Sequence, residues 1–243
     1  MKTGIIGAVK EEVDLLVRSL RESNSPVRET HLGSMEFFEG KIANAHVVIC
    51  RCGVGKVHAA MCAQVLISGF SVDRVINTGA AGGLDDRLSL FDIIVSIDAV
   101  QHDFDVTSFG YKPGCIPGFT SPFFIADPGM RLTALNAFAE VIAQFPQDSI
   151  KPSVYEGRVA TGDVFVANDI IRAELRERFS PVCVEMEGAA IAQVCAAYSI
   201  PFVILRSISD LAGDTANVSY DDFSEQASKM SALLVIEMLQ LLQ

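Results

Sequence analysis

Short runs rich in β-branched residues recur along this chain, and stretches of helical character stand between several of them. "TGIIGAV", "AHVVICRC", "DRVINTG", "FDIIVSIDAV", "PVCVEME" and "PFVILRSIS" have the length of buried strands, whereas Lys56 to Gly69 and Glu187 to Tyr198 have the length of helices. Strand followed by helix, repeated, restricts the fold to an α/β layer structure with a largely parallel sheet. The apolar-patterned segments Pro128 to Phe145 and Phe223 to Leu242 read as amphipathic helices covering that sheet. In "FGYKPGCIPGFTSP" (Phe109 to Pro122), Pro113, Pro117 and Pro122 stand among Gly110, Gly114 and Gly118, which defeats either regular period and predicts a loop.

No repeat, low-complexity tract or linker divides the 243 residues, so a single domain over 1–243 is expected. With 50% hydrophobic and 20% charged residues, one large core needs no disulfide or metal staple. The formal charge of −11 repels a nucleic-acid backbone or an anionic membrane surface and suits a small neutral or cationic ligand. Cys50, Cys52, Cys62, Cys115, Cys183 and Cys195 sit mostly in apolar runs without a C-x-x-C pair, which predicts buried, reduced thiols and no metal site. The apolar stretch before Lys10, Glu11 and Glu12 is too short for a secretory segment, and no later run has membrane-spanning length, so a cytoplasmic location is expected.

Four stretches hold residues with chemical potential. "NTGAAGG" (Asn77 to Gly83) follows a strand and reads either as a tight turn or as a cradle of backbone N–H groups; it has neither a Walker nor a dinucleotide spacing. "RSISD" (Arg206 to Asp210) ends an apolar strand, where α/β sheets place ligands, although a helix cap explains the acid equally well. Glu12 falls in a first helical turn, where the helix dipole alone favours an acid. In "VEMEGAAIAQVC", Glu185 and Glu187 would share a face if the strand ran through both, while a helix starting near Glu187 alters that geometry. An ionised carboxylate there suits a vicinal diol, but for Glu187 taken by itself a helix start is the stronger reading. "HDFD" (His102 to Asp105) lacks a second histidine or cysteine at ligand spacing and reads as a solvated loop.

Taken in order, "GIIGAVKEEV", "NTGAAGG", "TGDVFV", "VEMEGAAIAQVC" and "RSISD" closely resemble the 5′-methylthioadenosine/S-adenosylhomocysteine nucleosidases of the nucleoside phosphorylase superfamily. The resemblance runs from the first strand to the final helix. It implies a three-layer α/β/α domain around a twisted mixed sheet, a homodimer, no cofactor, and hydrolysis of an N-glycosidic bond to give adenine and a 5′-thio-substituted ribose. By the same resemblance, Asp210 protonates adenine N7 with Ser209 beside it, and Glu12 orients the attacking water. Glu187 clamps the ribose hydroxyls with Met186 against the sugar, Phe165 stacks on adenine, the Val166 backbone reads the base edge, and Tyr220 lies by the 5′-substituent. Ala80, Gly82, Glu185 and Arg206 complete the expected substrate surroundings. Glu185 is open between a sugar contact, a support behind one and a structural acid. Val106, Phe109 and Pro117 are expected to reach the neighbouring subunit's pocket. Ala80 stands where the family often has serine, and Val9 and Val54 replace bulkier apolar residues, which bears on substrate preference.

Two other functions share parts of this pattern. A phosphorylase of the same fold needs cations near the sugar, for which Lys10, Arg51 and Arg206 are candidates. A nucleoside-binding protein without catalysis would keep the pocket but has no use for Glu12, Glu187 and Asp210 together.

Overall fold

A computed structural model describes residues 1–23, 25–146 and 151–242. In chain order these residues form β1 (Lys2–Gly7), α1 (Lys10–Glu22), β2 (Arg28–Leu32), β3 (Met35–Ile42), β4 (Ala45–Arg51), α2 (Lys56–Phe70), β5 (Arg74–Gly83) and β6 (Ile93–Gln101). A 3₁₀ turn at Thr107–Phe109 precedes β7 (Phe124–Ile125), α3 (Pro128–Ala143), β8 (Val154–Thr161), α4 (Asp169–Phe179), β9 (Cys183–Glu185), α5 (Gly188–Tyr198), β10 (Phe202–Asp210) and α6 (Ala216–Leu241).

Alternation along β1, β4, β5 and β10 sorts their side chains into two cores, while Val100, Ala160 and Val184 of β6, β8 and β9 join a third, smaller cluster. Ile5, Ile49, Ile76, Val203 and Leu205 face α1, α3 and α6, where Leu16, Ala134 and Leu234 meet them. Their neighbours Ile6, Val48, Val75 and Ile204 face α2 and α5, against Leu66 and Ile191. This is the expected three-layer α/β/α arrangement around a mixed sheet. The pairing order is β10-β6-β8-β9-β5-β1-β4-β3-β2, with β7 beside β6. An additional β10–β5 pairing closes five of these strands into a ring, which the strand–helix pattern does not foretell.

All six β-branched runs contain strands. Strands β2, β3 and β8 were not read from the sequence because "RETHL", "MEFFEGKI" and "VYEGRVAT" carry charges on their part-exposed faces. Helix α4 was missed for a similar reason: "DIIRAELRERF" buries only Leu175 and Phe179, and its start is set by Asn168, whose side chain accepts from the Ile170 and Ile171 N–H groups. Helix α6 begins at Ala216, ahead of the Phe223 expected.

Two readings need correction. "NTGAAGG" is neither a turn nor a loop after a strand; it is the far half of β5, paired in parallel with β10 from Val75↔Phe202 to Gly82↔Asp210. Its small residues permit close approach of acids, not a change of direction. His102 is not in a solvated loop: it is part-buried with its ring against Gly162, its Nε2 makes no hydrogen bond, and burial lowers its pKa. Among the described residues no helix is long and apolar enough to cross a membrane.

Candidate active site

Strand β1 pairs with β5 only from Thr3↔Arg74 to Ile6↔Asn77, after which the chain turns away into α1 while β5 continues beside β10. The gap so opened lies at the strands' carboxyl ends, where α/β sheets bind ligands. A cavity of about 570 Å³, counting its open mouth, occupies it. Its walls come from the ends of β1 and β5, the β9–α5 junction, the end of β10, the β4–α2 and β8–α4 loops, and the first turns of α6.

Glu12 fills the gap between β1 and β5. It is the third residue of α1, and its Oε2 accepts the Ala8 and Val9 N–H groups at 2.5 and 3.2 Å, a reach back to the helix start typical of a capping glutamate. Its Oε1 accepts the Ala80 N–H at 3.1 Å. The helix-start reading is therefore correct, and the carboxyl also faces the cavity. Burial raises its pKa, against the opposing pull of Arg206 and the three N–H groups.

Glu185 ends β9, and Glu187 caps α5 with φ −131° and ψ −42°, so no continuous strand carries both acids. Glu185 accepts the Glu187 and Gly188 N–H groups at 3.1 and 2.8 Å, the Thr161 hydroxyl, and Arg206. These bonds give it a structural task at the head of α5, though it also touches the cavity. Glu187 accepts the Gly55 N–H at 2.8 Å. Burial, then the nearby Glu185 and Glu12, push its pKa up to about 8. The following "GAAIAQVC" is core as expected: Ala189, Ile191, Ala192 and Cys195 are fully buried.

Asp210 closes β10. Its Oδ2 accepts the Ser209 hydroxyl at 2.9 Å and its Oδ1 the Ala212 N–H at 2.8 Å, while burial raises its pKa over both of these bonds. Gly82 is required beside it, because a Cβ there would lie 2.8 Å from Asp210 Oδ1.

Arg206 lies beneath the cavity and not on its wall. It is 1% exposed, bonded to Glu185 and, at 2.6 Å, to Asn77 Oδ1. Burial opposes its charge, yet Glu185, Glu12 and Glu187 together hold its pKa above the usual value. Asn77 in turn donates to the Ile6 carbonyl at 2.9 Å, tying the cation to the end of β1.

Ala80, Gly82, Phe165, Val166, Met186, Ser209 and Tyr220 all line the same cavity. Phe165 is 45% exposed on the cavity wall and its ring makes a T-shaped contact with that of Tyr220, centroids 5.6 Å apart. Val106, Phe109 and Pro117 stand apart from this cavity, on the loop after β6, and Phe109 is 80% exposed. Sequence reasoning missed Gly55 and Thr161, which hold Glu187 and Glu185, and Asn77, which holds the Arg206 cation. The signal for Gly55 was present in "RCGVGK", a glycine-rich passage from strand to helix. Among the described residues no group of three or more His, Cys, Asp or Glu side chains is arranged to hold a metal.

The pattern of the Phosphorylase superfamily matches residues 2–240. A Geobacillus sp. (strain WCH70) 5′-methylthioadenosine/S-adenosylhomocysteine nucleosidase is 41% identical over 246 residues, covering 100% of both chains. The structure of the nucleosidase of that name from Colwellia psychrerythraea 34H, in complex with adenine, superposes with a TM-score of 0.91 at 36% identity, over 99% of this chain and 95% of that one. A futalosine hydrolase from Helicobacter pylori strain 26695 gives a TM-score of 0.89 at 32% identity, over 99% and 97%. Full-length identity, a shared fold and the cavity at the carboxyl ends of β1, β5 and β10 agree: the chain belongs to the 5′-methylthioadenosine/S-adenosylhomocysteine nucleosidase family of the phosphorylase superfamily.

Proposed function

We propose that this chain hydrolyses the N-glycosidic bond of 5′-methylthioadenosine and S-adenosylhomocysteine, releasing adenine and a 5′-thio-substituted ribose. The observation that carries the assignment of roles is that Glu12, Glu187 and Asp210 face one cavity in three different hydrogen-bond settings. Breaking the bond develops positive charge on the sugar and negative charge on the leaving base, as in glycoside hydrolysis. Asp210, whose pKa is raised by burial, gives a proton to purine N7. Glu12, held by three N–H groups, orients the water and takes its proton. Glu187 holds the ribose diol with Met186 against the sugar, while Phe165 stacks on the purine, the Val166 backbone reads its edge and Tyr220 borders the 5′-group.

Water is favoured over phosphate as the nucleophile because the candidate cations are engaged elsewhere. Lys10 pairs with Asp14, Arg51 with Glu36 and Arg206 with Glu185, and none of the three lines the cavity. The reaction as drawn uses no cofactor. Val106, Phe109 and Pro117 serve the pocket of a second copy in a homodimer, a reading supported by the exposure of Phe109 outside its own cavity. Residues 1–243 act as one domain, supported by the central sheet that both cores share, and the enzyme works in the cytoplasm in methionine salvage.

Adenine release from methylthioadenosine in phosphate-free buffer tests the assignment. Glu12→Gln and Asp210→Asn should each lower turnover by at least about a thousandfold while adenine still binds. Near-normal turnover in either variant, or a requirement for phosphate, would overturn it. Side-by-side turnover of methylthioadenosine, adenosylhomocysteine, 5′-deoxyadenosine and aminodeoxyfutalosine measures the preference set around Val9, Val54 and Ala80.

A further inference from the structure

Helix α2 is preceded by Gly55 at its N-cap, which offers no side-chain cap and has φ +97°. The first N–H groups of a helix need acceptors, and here two distant carboxylates supply them. Glu187 takes the Gly55 N–H at 2.8 Å, and Asp163 Oδ1 takes the Lys56 N–H at 2.8 Å across 107 residues of chain. Asp163 is itself held: its N–H donates to Asp103 Oδ2 at 2.9 Å, and Asp103 Oδ1 pairs with Lys56 Nζ at 2.6 Å. A Cβ at position 55 would lie 3.0 Å from Asp163 Oδ1, so glycine is what admits the carboxylate.

Asp163 lies two residues before Phe165 and three before Val166, in the loop that lines the purine end of the cavity. We infer that Asp163 is a positioning residue that clips the purine loop to the head of α2, and thereby sets the distance between purine contacts and the ribose-holding Glu187. This role rests on the nucleosidase reading above. The clip adds a second consequence: anchoring α2 keeps the Gly55 N–H against Glu187, which otherwise faces Glu185 and Glu12, with Arg206 opposing them.

The test uses the full chain. Asp163→Ala should raise both KM for methylthioadenosine and Kd for adenine alone about fivefold, the size of one lost helix cap. Asp163→Asn keeps the acceptor oxygen and should recover most of each loss. The limb of the kcat/KM profile governed by Glu187 should also move to higher pH in Asp163→Ala, whereas a plain loop anchor would leave it in place. Should Asp163→Ala not fold, Asp103→Asn loosens the same clip from its other side and should give the same pattern on a smaller scale. Unchanged KM and adenine Kd, an Asp163→Asn as weak as Asp163→Ala, or an unmoved limb would each overturn the inference. Adenine binding needs no turnover, so a wild-type chain that binds adenine but fails to cleave methylthioadenosine would refute the nucleosidase reading alone.

Discussion

Gly79→Ala is the smallest change that should separate binding from chemistry. A Cβ at position 79 would lie 2.2 Å from Glu12 Oε1 and 2.6 Å from its Cδ, distances that no relaxed contact allows. The carboxyl cannot retreat towards the helix start, because Oε2 is already against the Ala8 N–H at 2.5 Å. It must rotate, and the 3.1 Å bond from the Ala80 N–H is lost with that rotation. One hydrogen bond to a charged group is worth about 1.5–3 kcal/mol, and a misplaced catalytic group lowers kcat by roughly a hundredfold to a thousandfold. Overpacking adds a destabilisation of about 1–3 kcal/mol, and each kcal/mol lowers Tm by roughly 2–4 °C for a chain of this size. Phe165, Val166 and Asp210 are untouched, so adenine should bind within about twofold of wild type, a change below the kcal/mol scale of a real contact. Adenine-release kinetics, calorimetry with adenine and thermal melting read the three quantities. Gly69→Ala is the control, since its nearest neighbour would be Val65 Cγ1 at 3.7 Å within α2. Turnover within about threefold of wild type in a folded Gly79→Ala, a difference under 1 kcal/mol, would refute the placement of Glu12 as the group that handles water.

Two further outcomes follow from the buried charges. Glu187 has a folded pKa of about 8 against the ordinary carboxylate value, so its contribution to stability is complete below the unfolded pKa and declines as pH rises through about 8; Tm should fall across that window, Glu187→Gln should flatten the slope, and an identical slope in the variant refutes the shift. Arg206→Met leaves Glu185 buried without its cation and should cost about 3–5 kcal/mol by denaturant unfolding; a loss below about 1 kcal/mol, the scale of an exposed pair, would mean that Arg206 does not hold Glu185 in place.

The strands that carry the site were legible because burial on both faces makes them continuous β-branched runs, as the neighbours Ile5 and Ile6 or Val75 and Ile76, each in a different core, show. Glu12, Asp210 and Glu187 were named by resemblance, and the structure brings all three to one cavity at the strands' carboxyl ends. What supports them was not. Asn77, Thr161 and Asp163 act on residues far off in sequence, and nothing in a short window reveals a bond between positions 56 and 163. "NTGAAGG" misled for a different reason: glycine in a strand signals a close neighbour as often as a turn, and the neighbours here are the carboxyls of Glu12 and Asp210, at Gly79 and Gly82.

The charge balance of the cavity floor links these pieces. Glu12, Glu185 and Glu187 surround one buried guanidinium, so full ionisation would leave two uncompensated negative charges in a largely buried setting. Burial raises the pKa values of both Glu12 and Glu187, so holding these acids ionised together carries a cost that a nearby positive charge would lower. A sugar that becomes cationic as its bond to the purine breaks supplies the missing positive charge only at that moment. On the roles proposed for Glu12 and Glu187, the excess of acids would favour the transition state over the neutral substrate, which is the condition for acceleration and not merely for binding. Glu185 then needs no contact with the sugar to matter: by holding Arg206 and the head of α5, it fixes how much of that negative charge Glu187 and Glu12 present to the ring.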